Sequence, residues 1–267
     1  MNKEFRPSGV ITLITDFGLR DPFVGLVKGV ILSENPCARV VDVTHGILPY
    51  QSSEAGFWMS RTFKYFPEGT IHLAVVDPGV GTNRDIYIAE AAQHLFIGPD
   101  NGLFGELAER NQCSFRRVEE MIIDSVALKN RSSTFDGRDV FAPLVSNILS
   151  GKLSTAECGP TTNEYCPSKF RSAQREGRGI VGSIVTIDHF GNLISNIGEE
   201  FVSNMDSPKA SIAGKEIPFR TNYSAVKAGE LVCLINSFGV IEIARSNGDA
   251  AEFLGVGREE SVRILES

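Results

Sequence analysis

The first half of the chain alternates strand-like and helix-like segments, and this alternation constrains the fold more than any other feature. Val10–Ile14 has the apolar pattern of a buried strand, and Asp21 followed by Pro22 is typical of a helix start. Two further strands are predicted at Arg39–Val43 and Ile71–Val76. Strands separated by helices pair in parallel through right-handed crossovers. We therefore expect an α/β fold in which helices flank a mostly parallel N-terminal sheet.

The alternation stops in the polar stretch from Gly151 to Gly179, which is rich in Ser, Thr, Pro, Gly and Lys. Short strand-like runs separated by turn residues follow it, and this pattern is typical of a small β-barrel or sandwich. We predict an N-terminal α/β domain over residues 1–165, a linker over 166–178 and a smaller C-terminal all-β barrel domain over 179–267.

Charge and composition argue against several classes of protein. The chain has 267 residues and a formal net charge of -7 without a Lys/Arg cluster, which disfavours nucleic acid and anionic membranes as partners. No apolar run approaches the roughly 20 residues that span a bilayer, so we expect a cytoplasmic protein. Five irregularly spaced cysteines indicate neither a disulfide framework nor a zinc site.

Aspartates follow the predicted strands at the edge where open α/β sheets bind ligands. Asp16 lies between a buried strand and a Phe-Gly turn, and Asp77 directly follows another strand. A carboxylate such as Asp16 can accept hydrogen bonds from both hydroxyls of a ribose, but it can also cap a loop. The residues alone leave these two interpretations of Asp16 equal. For Asp42, near the end of the second strand, capping is the preferred interpretation.

Three other runs of residues are candidates for a functional site, and two of them lie in the predicted N-terminal domain. Ser133–Pro143 places Asp136, Arg138 and Asp139 before an apolar helix start. The loop Asp77–Arg84 contains glycines but lacks the phosphate-loop pattern, and on its own Arg84 would be a surface ion-pair partner worth under about 1 kcal/mol.

In the second half, Asp188–Asn192 carries Phe190 and Asn192, which are suited to stack on and hydrogen-bond to a base. A plain turn is the alternative interpretation of that run.

The four histidines offer few catalytic candidates. His72 and His94 alternate with apolar residues in strand patterns and are expected in the core or on a sheet face. We expect His45 to position a loop, and the alternative is a role in the functional site. His189 lies within the Asp188–Asn192 run.

Taken together, these runs resemble the S-adenosylmethionine (SAM) hydroxide adenosyltransferase family, the relatives of fluorinase and chlorinase. The resemblance covers about residues 10 to 265 and includes Asn236–Gly239 and Ala244–Leu254. It implies an enzyme that cleaves SAM with water or hydroxide, by attack at C5′, to adenosine and L-methionine. SAM is then a substrate, and no cofactor or metal is needed. Asp77 favours the hydrolases over the halogenases, which lack it.

The resemblance also assigns roles to residues. The catalytic set of the hydrolases is Asp, Arg and His; here it corresponds to Asp77, Arg84 and Asp136, so that an aspartate replaces the histidine. Tyr50 would cover the sugar, Tyr223 and Phe190 the adenine, and Asp188 with Ser237 the methionine end. The expected substrate-binding residues are Asp16, Tyr50, Asp188, Phe190, Asn192, Tyr223, Ser237, Phe238, Glu242 and Ala251.

The resemblance implies a homotrimer with sites between subunits and SAM and adenosine as ligands, and the net charge argues against nucleic acid or membrane as a partner. Because of Asp136, the second hypothesis is a catalytically impaired protein that binds SAM or adenosine. A SAM-dependent methyltransferase is a weaker third, since the predicted all-β C-terminal half and the lack of a Gly-x-Gly loop after the first strand count against it.

Overall fold

The computed structural model describes residues 5–266, and the chain divides into two compact units. The first unit ends at Lys169 and the second begins at Phe170. No helix within residues 5–266 is long and apolar enough to cross a membrane.

The first unit is built on a seven-stranded sheet. Its strands are β1 (Val10–Thr15), β2 (Arg39–Thr44), β3 (Ile71–Val75), β4 (Ile86–Ala91), β5 (His94–Pro99), β6 (Ser114–Arg117) and β7 (Thr161–Thr162). Their order across the sheet is β2-β1-β3-β5-β4-β6-β7. The strands β2, β1, β3 and β5 run parallel, whereas β4, β6 and β7 join antiparallel. The predicted α/β architecture is confirmed.

Among the described residues, this unit contains the α-helices α1 (Phe23–Glu34), α2 (Ser52–Thr62), α3 (Gly105–Arg110), α4 (Glu120–Val126) and α5 (Ala142–Leu149). Successive strand residues point to opposite faces of a sheet. Ile11 and Leu13 therefore join Val27 of α1 and Leu144 of α5 in one apolar cluster. Residues on the other face, with Ile14 among them, join α2 and α3 in a second cluster. Helices thus cover both faces of the sheet.

Helix α1 begins one residue later than the Asp-Pro signal indicates, at Phe23 instead of Pro22. Pro22 takes the N-cap position in the helical region of backbone space, and no side chain caps this end. Asp21 is exposed, and Pro22 instead supplies a carbonyl that accepts from Leu26. The signal therefore located the helix but not its cap.

The second unit holds an eight-stranded antiparallel sheet. Its strands are β8 (Gln174–Glu176), β9 (Gly179–Ile187), β10 (Leu193–Gly198), β11 (Lys209–Ile212), β12 (Lys215–Pro218), β13 (Leu231–Ile235), β14 (Val240–Arg245) and β15 (Ser261–Leu265). The order is β12-β11-β15-β9-β10-β14-β13, with β8 added on β9. A bridge between Phe219 and Cys233 brings the two ends together, so the sheet nearly closes as the predicted barrel. One short helix, α6 (Ala250–Leu254), belongs to this unit, and β8 lies within the predicted linker.

Candidate functional site

The loop that follows β3 brings Asp77 and Arg84 together. It also contacts a segment that lies about 50 residues further along the chain. Gly81 has a φ of 76°, and a Cβ at this position would clash with the carbonyl oxygen of Ser133. A glycine is therefore needed for both the backbone conformation and the close approach. The contact places residues 77–84 beside residues 131–136, which no local pattern predicts.

Arg84 links two carboxylates at this contact. Its Nε lies 3.1 Å from Oδ1 and 2.9 Å from Oδ2 of Asp77, and its Nη2 lies 2.6 Å from Oδ2. The same Nη2 also donates to Oδ2 of Asp136 at 2.7 Å. The side chain of Asp136 is completely buried, and that of Asp77 is only 5% exposed. The structure thus unites all three expected catalytic residues.

Asp136 has a second cationic partner that sequence reasoning missed. Arg131 donates from Nε to Oδ1 of Asp136 at 3.1 Å and from Nη2 to Oδ2 at 3.4 Å. Asp136 has helical backbone angles and directly precedes a π-helical turn, Gly137–Phe141, that runs into α5. A basic residue five positions before Asp136 was the only signal in the sequence.

The four side chains form a chain of alternating charge, Asp77–Arg84–Asp136–Arg131, whose formal charges sum to zero. Burial alone would lower the pKa of Arg84, but the bonds and charges of Asp77 and Asp136 outweigh it and raise that pKa. Arg84 and Arg131 also border a cavity of about 560 Å³. We refer to these four residues as the ion-pair cluster.

Asp16 lies at the end of β1, at the same sheet edge as Asp77. Its Oδ2 accepts from the backbone N–H of Tyr50 at 3.2 Å. Burial raises the pKa of Asp16, the Tyr50 bond opposes that shift, and the negative charge of Asp77 adds to it. Tyr50 holds a φ of 71°, and its side chain is largely exposed. Asp16 and Asp77 thus follow adjacent parallel strands at one edge of the sheet, which is where the sequence placed them.

A separate group of contacts holds the turn after Asp16. Thr15 Oγ1 and His45 Nδ1 lie 2.8 Å apart, and the carbonyl of His45 accepts from Gly18 N at 2.8 Å. Nε2 of His45 is 3.0 Å from Asp42, which also binds Lys28 at 2.6 Å. Burial would raise the pKa of Asp42, but Lys28 and His45 lower it overall. His45 and Asp42 therefore support the loop that carries Asp16.

His72 and His94 lie inside the first unit. His72 Nδ1 is 2.7 Å from Thr12 Oγ1, and its Nε2 is 3.0 Å from His94 Nδ1. The ring of His72 stacks on Phe96. Burial, reinforced by His94, lowers the pKa of His72 to about 3. The core position expected for the two histidines agrees with these contacts.

In the second unit, Asp188 organises the turn between β9 and β10. Its Oδ1 accepts from the backbone N–H groups of Phe190 and Asn192, both at 2.9 Å, and its Oδ2 accepts from Asn192 Nδ2 at 2.9 Å. Asn192 is buried, whereas Phe190 is 73% exposed. Ala251 in α6 donates its backbone N–H to Gly191 O at 3.0 Å and so lies beside this turn.

Glu242 is the centre of a second group in this unit. It is 3% exposed, and it accepts from Tyr223 Oη at 2.8 Å and from Asn236 Nδ2 at 3.1 Å. Burial raises the pKa of Glu242, its two hydrogen bonds oppose the shift, and the charge of Asp188 increases it. Burial and Glu242 together raise the pKa of Tyr223. Asn236 contacts Glu242 but was not among the site residues expected from the sequence.

The expected residues Ser237 and Phe238 lie in the turn between β13 and β14. Phe238 donates its backbone N–H to Asn236 Oδ1 at 3.0 Å, so one asparagine fixes both this turn and Glu242. Each unit therefore assembles its own share of the expected residues. Asp16, Tyr50, Asp77, Arg84 and Asp136 lie in the first, and Asp188, Phe190, Asn192, Tyr223, Ser237, Phe238, Glu242 and Ala251 lie in the second.

No group of three or more His, Cys, Asp or Glu side chains within residues 5–266 has the arrangement of a metal site. Arginine, asparagine and tyrosine provide most of the partners of the buried carboxylates instead. The chemistry available at these residues is hydrogen bonding, charge stabilisation and proton acceptance by carboxylates.

Comparison with known proteins found relatives that match nearly the whole chain. An (R)-S-adenosyl-L-methionine hydrolase of Thermus thermophilus is 33% identical over 260 residues, which cover 96% of this chain and 99% of that protein. A protein of the same name from Methanocaldococcus jannaschii is 32% identical over 96% of this chain and 95% of its own length. A fluorinase of Actinoplanes is more distant, at 25% identity over 89% of this chain and 91% of its own.

The crystal structure of an uncharacterized conserved protein from Thermotoga maritima has the same fold. It superposes with a TM-score of 0.87 at 31% identity, over 96% of this chain and all of that one. Models of the N-terminal and C-terminal domains of SAM hydroxide adenosyltransferases match residues 11–159 and 182–263. The predicted resemblance is confirmed: the chain belongs to the SAM hydroxide adenosyltransferase family.

Proposed function

We propose that this protein hydrolyses SAM to adenosine and L-methionine by attack of water on C5′ of the ribose. The observation that carries this proposal is the buried Asp77–Arg84 pair at the carboxyl edge of the parallel strands, next to Asp16. Relatives named (R)-S-adenosyl-L-methionine hydrolase that align over nearly their whole length support the same reaction.

The chemistry of SAM determines which catalytic groups the protein must supply, and few are needed. As the bond between water oxygen and C5′ forms, the C5′–S bond breaks and its electron pair stays on sulfur. The sulfonium becomes the neutral thioether of methionine, so the leaving group needs no proton. The protein must align the water, exclude other nucleophiles and accept the proton that the water loses.

Asp77 is the residue that we assign to orient the water and accept its proton. Its two oxygens are fixed by Nε and Nη2 of Arg84, and a carboxylate oxygen held in this way still has a lone pair for a further donor. Asp136 is already bound by two guanidinium groups. We assign it to hold Arg84 in place, which differs from the histidine that the hydrolases have at this position.

The remaining expected residues fit the parts of the substrate by chemistry. Asp16 suits the ribose diol, with Tyr50 over the sugar; the exposed ring of Phe190, with Tyr223 and Asn192, suits adenine. Asp188 and Glu242 are carboxylates suited to the cationic methionine end, which Ser237, Phe238 and Ala251 would border. We propose SAM as substrate without a cofactor.

Three further proposals concern the protein's setting, and the first of them rests on family resemblance. They are a homotrimer with sites between subunits, a cytoplasmic location, and neither nucleic acid nor membrane as a partner. Light scattering should report about three chains per particle. A fully active monomer would refute shared sites.

The alternative of an impaired SAM- or adenosine-binding protein is less well supported, because the Asp77–Arg84 pair is intact and the relatives with 32–33% identity described above are named as hydrolases. One assay separates the hypotheses. Purified protein is incubated with SAM, supplied as both sulfonium epimers, and adenosine and methionine are followed by chromatography. Equimolar release of both products supports hydrolysis. Binding without products supports the impaired protein, and a methylated product would indicate a methyltransferase.

A further inference from the structure

Asp136 presents an electrostatic problem that Arg84 alone does not solve. Its side chain is completely buried, and a buried carboxylate is costly unless it is both paired and hydrogen-bonded. Arg84 is already committed to Asp77, which takes its Nε and shares its Nη2 with Asp136. With one guanidinium between two carboxylates, the group would carry a net negative charge.

Arg131 supplies the missing positive charge. Its Nε and Nη2 reach both oxygens of Asp136, and its side chain is 32% exposed to solvent. The neighbouring Arg138 does not compete for this role, because it binds Asp139 through Nε at 2.6 Å and Nη2 at 2.9 Å. Arg131 is thus the second cation that binds Asp136, beside Arg84.

We infer that Arg131 is a positioning residue for the hydrolysis: its guanidinium neutralises Asp136 and thereby keeps Arg84 aligned on Asp77. The inference rests on the proposed function. Without Arg131, the unneutralised Asp136 draws Arg84 away from Asp77, and Asp77 loses the orientation with which it holds the water. Asp136 and Arg131 then act as a unit, so that a substitution of Arg131 matters only while position 136 carries a negative charge.

The test compares four proteins with SAM: the wild type, Arg131→Gln, Arg131→Lys and the control Arg117→Gln. Arg117 borders the same cavity, but its side chain is 54% exposed and its acidic partner Asp85 is 3.9 Å away. We expect Arg131→Gln to lower kcat by about 10- to 100-fold, since a misplaced catalytic group costs rates of that order. KM should change by less than about threefold, because the loss lies in the chemical step. Arg131→Lys should recover part of the rate, and Arg117→Gln should match the wild type.

Two further variants remove the charge that Arg131 balances. In Asp136→Asn, and in the double variant Arg131→Gln with Asp136→Asn, Arg84 has only Asp77 to bind. Both should therefore be faster than Arg131→Gln alone, and the double variant should show the rescue even if the single one folds poorly. Circular dichroism and melting temperatures compare the folded fractions.

The outcomes separate the inference from the proposed function. A wild type that leaves SAM intact refutes the proposed function. An active wild type with an equally active Arg131→Gln overturns the inference. A double variant as slow as Arg131→Gln also overturns it, because Asp136 would then be a proton acceptor in its own right rather than the partner of Arg131.

Discussion

Arg84 binds Asp77 through two nitrogen atoms, with Nε at 2.9 Å and Nη2 at 2.6 Å from the same carboxylate oxygen. The two residues are seven positions apart in one loop, and both side chains are largely buried. Hydrogen bonds between ionised groups are short and strong, and a guanidinium that binds side-on also fixes the plane of the carboxylate. This relationship supplies the fixed acceptor that attack by water requires.

Asp77→Asn tests that acceptor directly. The amide keeps the size of the side chain but cannot take the water proton, so kcat should fall by about 10²- to 10⁴-fold. SAM affinity, measured by calorimetry, should change little. Asp85→Asn is the matched control, since Asp85 borders the neighbouring cavity and has only a distant ion pair at 3.9 Å. An Asp77→Asn protein that keeps the wild-type rate removes Asp77 from the mechanism.

Asp16→Ala should weaken adenosine binding well beyond its effect on folding, because the substitution removes the acceptor proposed for both ribose hydroxyls. Calorimetric titration with adenosine measures the affinity, and a melting curve measures the fold. Asp21→Ala, at an exposed aspartate that precedes α1, is the control. Unchanged adenosine affinity in Asp16→Ala would exclude Asp16 from the site.

Gly81→Ala should lower both stability and rate. An alanine at a φ of 76° is strained by about 1–2 kcal/mol, and its Cβ would also strike the Ser133 carbonyl oxygen, which pushes the loop of Asp77 away from Asp136. Gly151→Ala separates the two effects, since Gly151 has a φ of 71° with open space around it. The control should lose stability but keep its kcat. Equal kcat values in the two variants would mean that the contact with Ser133 does not position the site.

Acid should destabilise the protein through His72. Its pKa in the folded state is about 3, below the ordinary value of 6.5, so the unfolded chain binds the proton more readily between these values. The stabilisation from the neutral ring is complete above about pH 6.5 and decreases as pH falls towards 3, by about 1.4 kcal/mol per pH unit.

Urea unfolding at several pH values, for wild type and His72→Gln, measures this dependence. The wild-type free energy of unfolding should fall more steeply below pH 6.5 than that of the variant. His189→Gln serves as the control, because His189 is exposed. Parallel pH dependences for wild type and His72→Gln would contradict a buried neutral ring.

The sequence predicted which residues lie at the carboxyl edge of the sheet, but it did not predict which loops contact one another there. Asp16 and Asp77 follow buried strands, so their shared edge could be inferred from strand periodicity alone. The meeting of Asp77 and Arg84 with Asp136 depends on Gly81 passing close to Ser133, a long-range contact with no local signature. Asp136 lies in a run that the sequence indicated as a candidate site, but its assignment to the catalytic set came only from the family resemblance.

Two kinds of contact escaped sequence reasoning for physical reasons. Arg131 lies in a polar run, where an arginine is ordinarily a solvated surface residue. Its role depends on its ion pair with Asp136, and the burial of Asp136 is visible only in the folded structure. Asn236 has the sequence appearance of a turn residue, yet its amide also binds Glu242, which lies on the neighbouring strand β14. Both roles depend on burial, which a single sequence does not report.

Hydrolysis in H₂¹⁸O is the most direct test of the central claim that water attacks C5′ of SAM. The proposed mechanism places the oxygen of water on C5′, so mass spectrometry should find one ¹⁸O in the adenosine and none in the methionine. Asp77→Asn should produce the same labelled adenosine far more slowly. Adenosine without ¹⁸O, or no adenosine at all from the wild type with either epimer of SAM, would contradict the account.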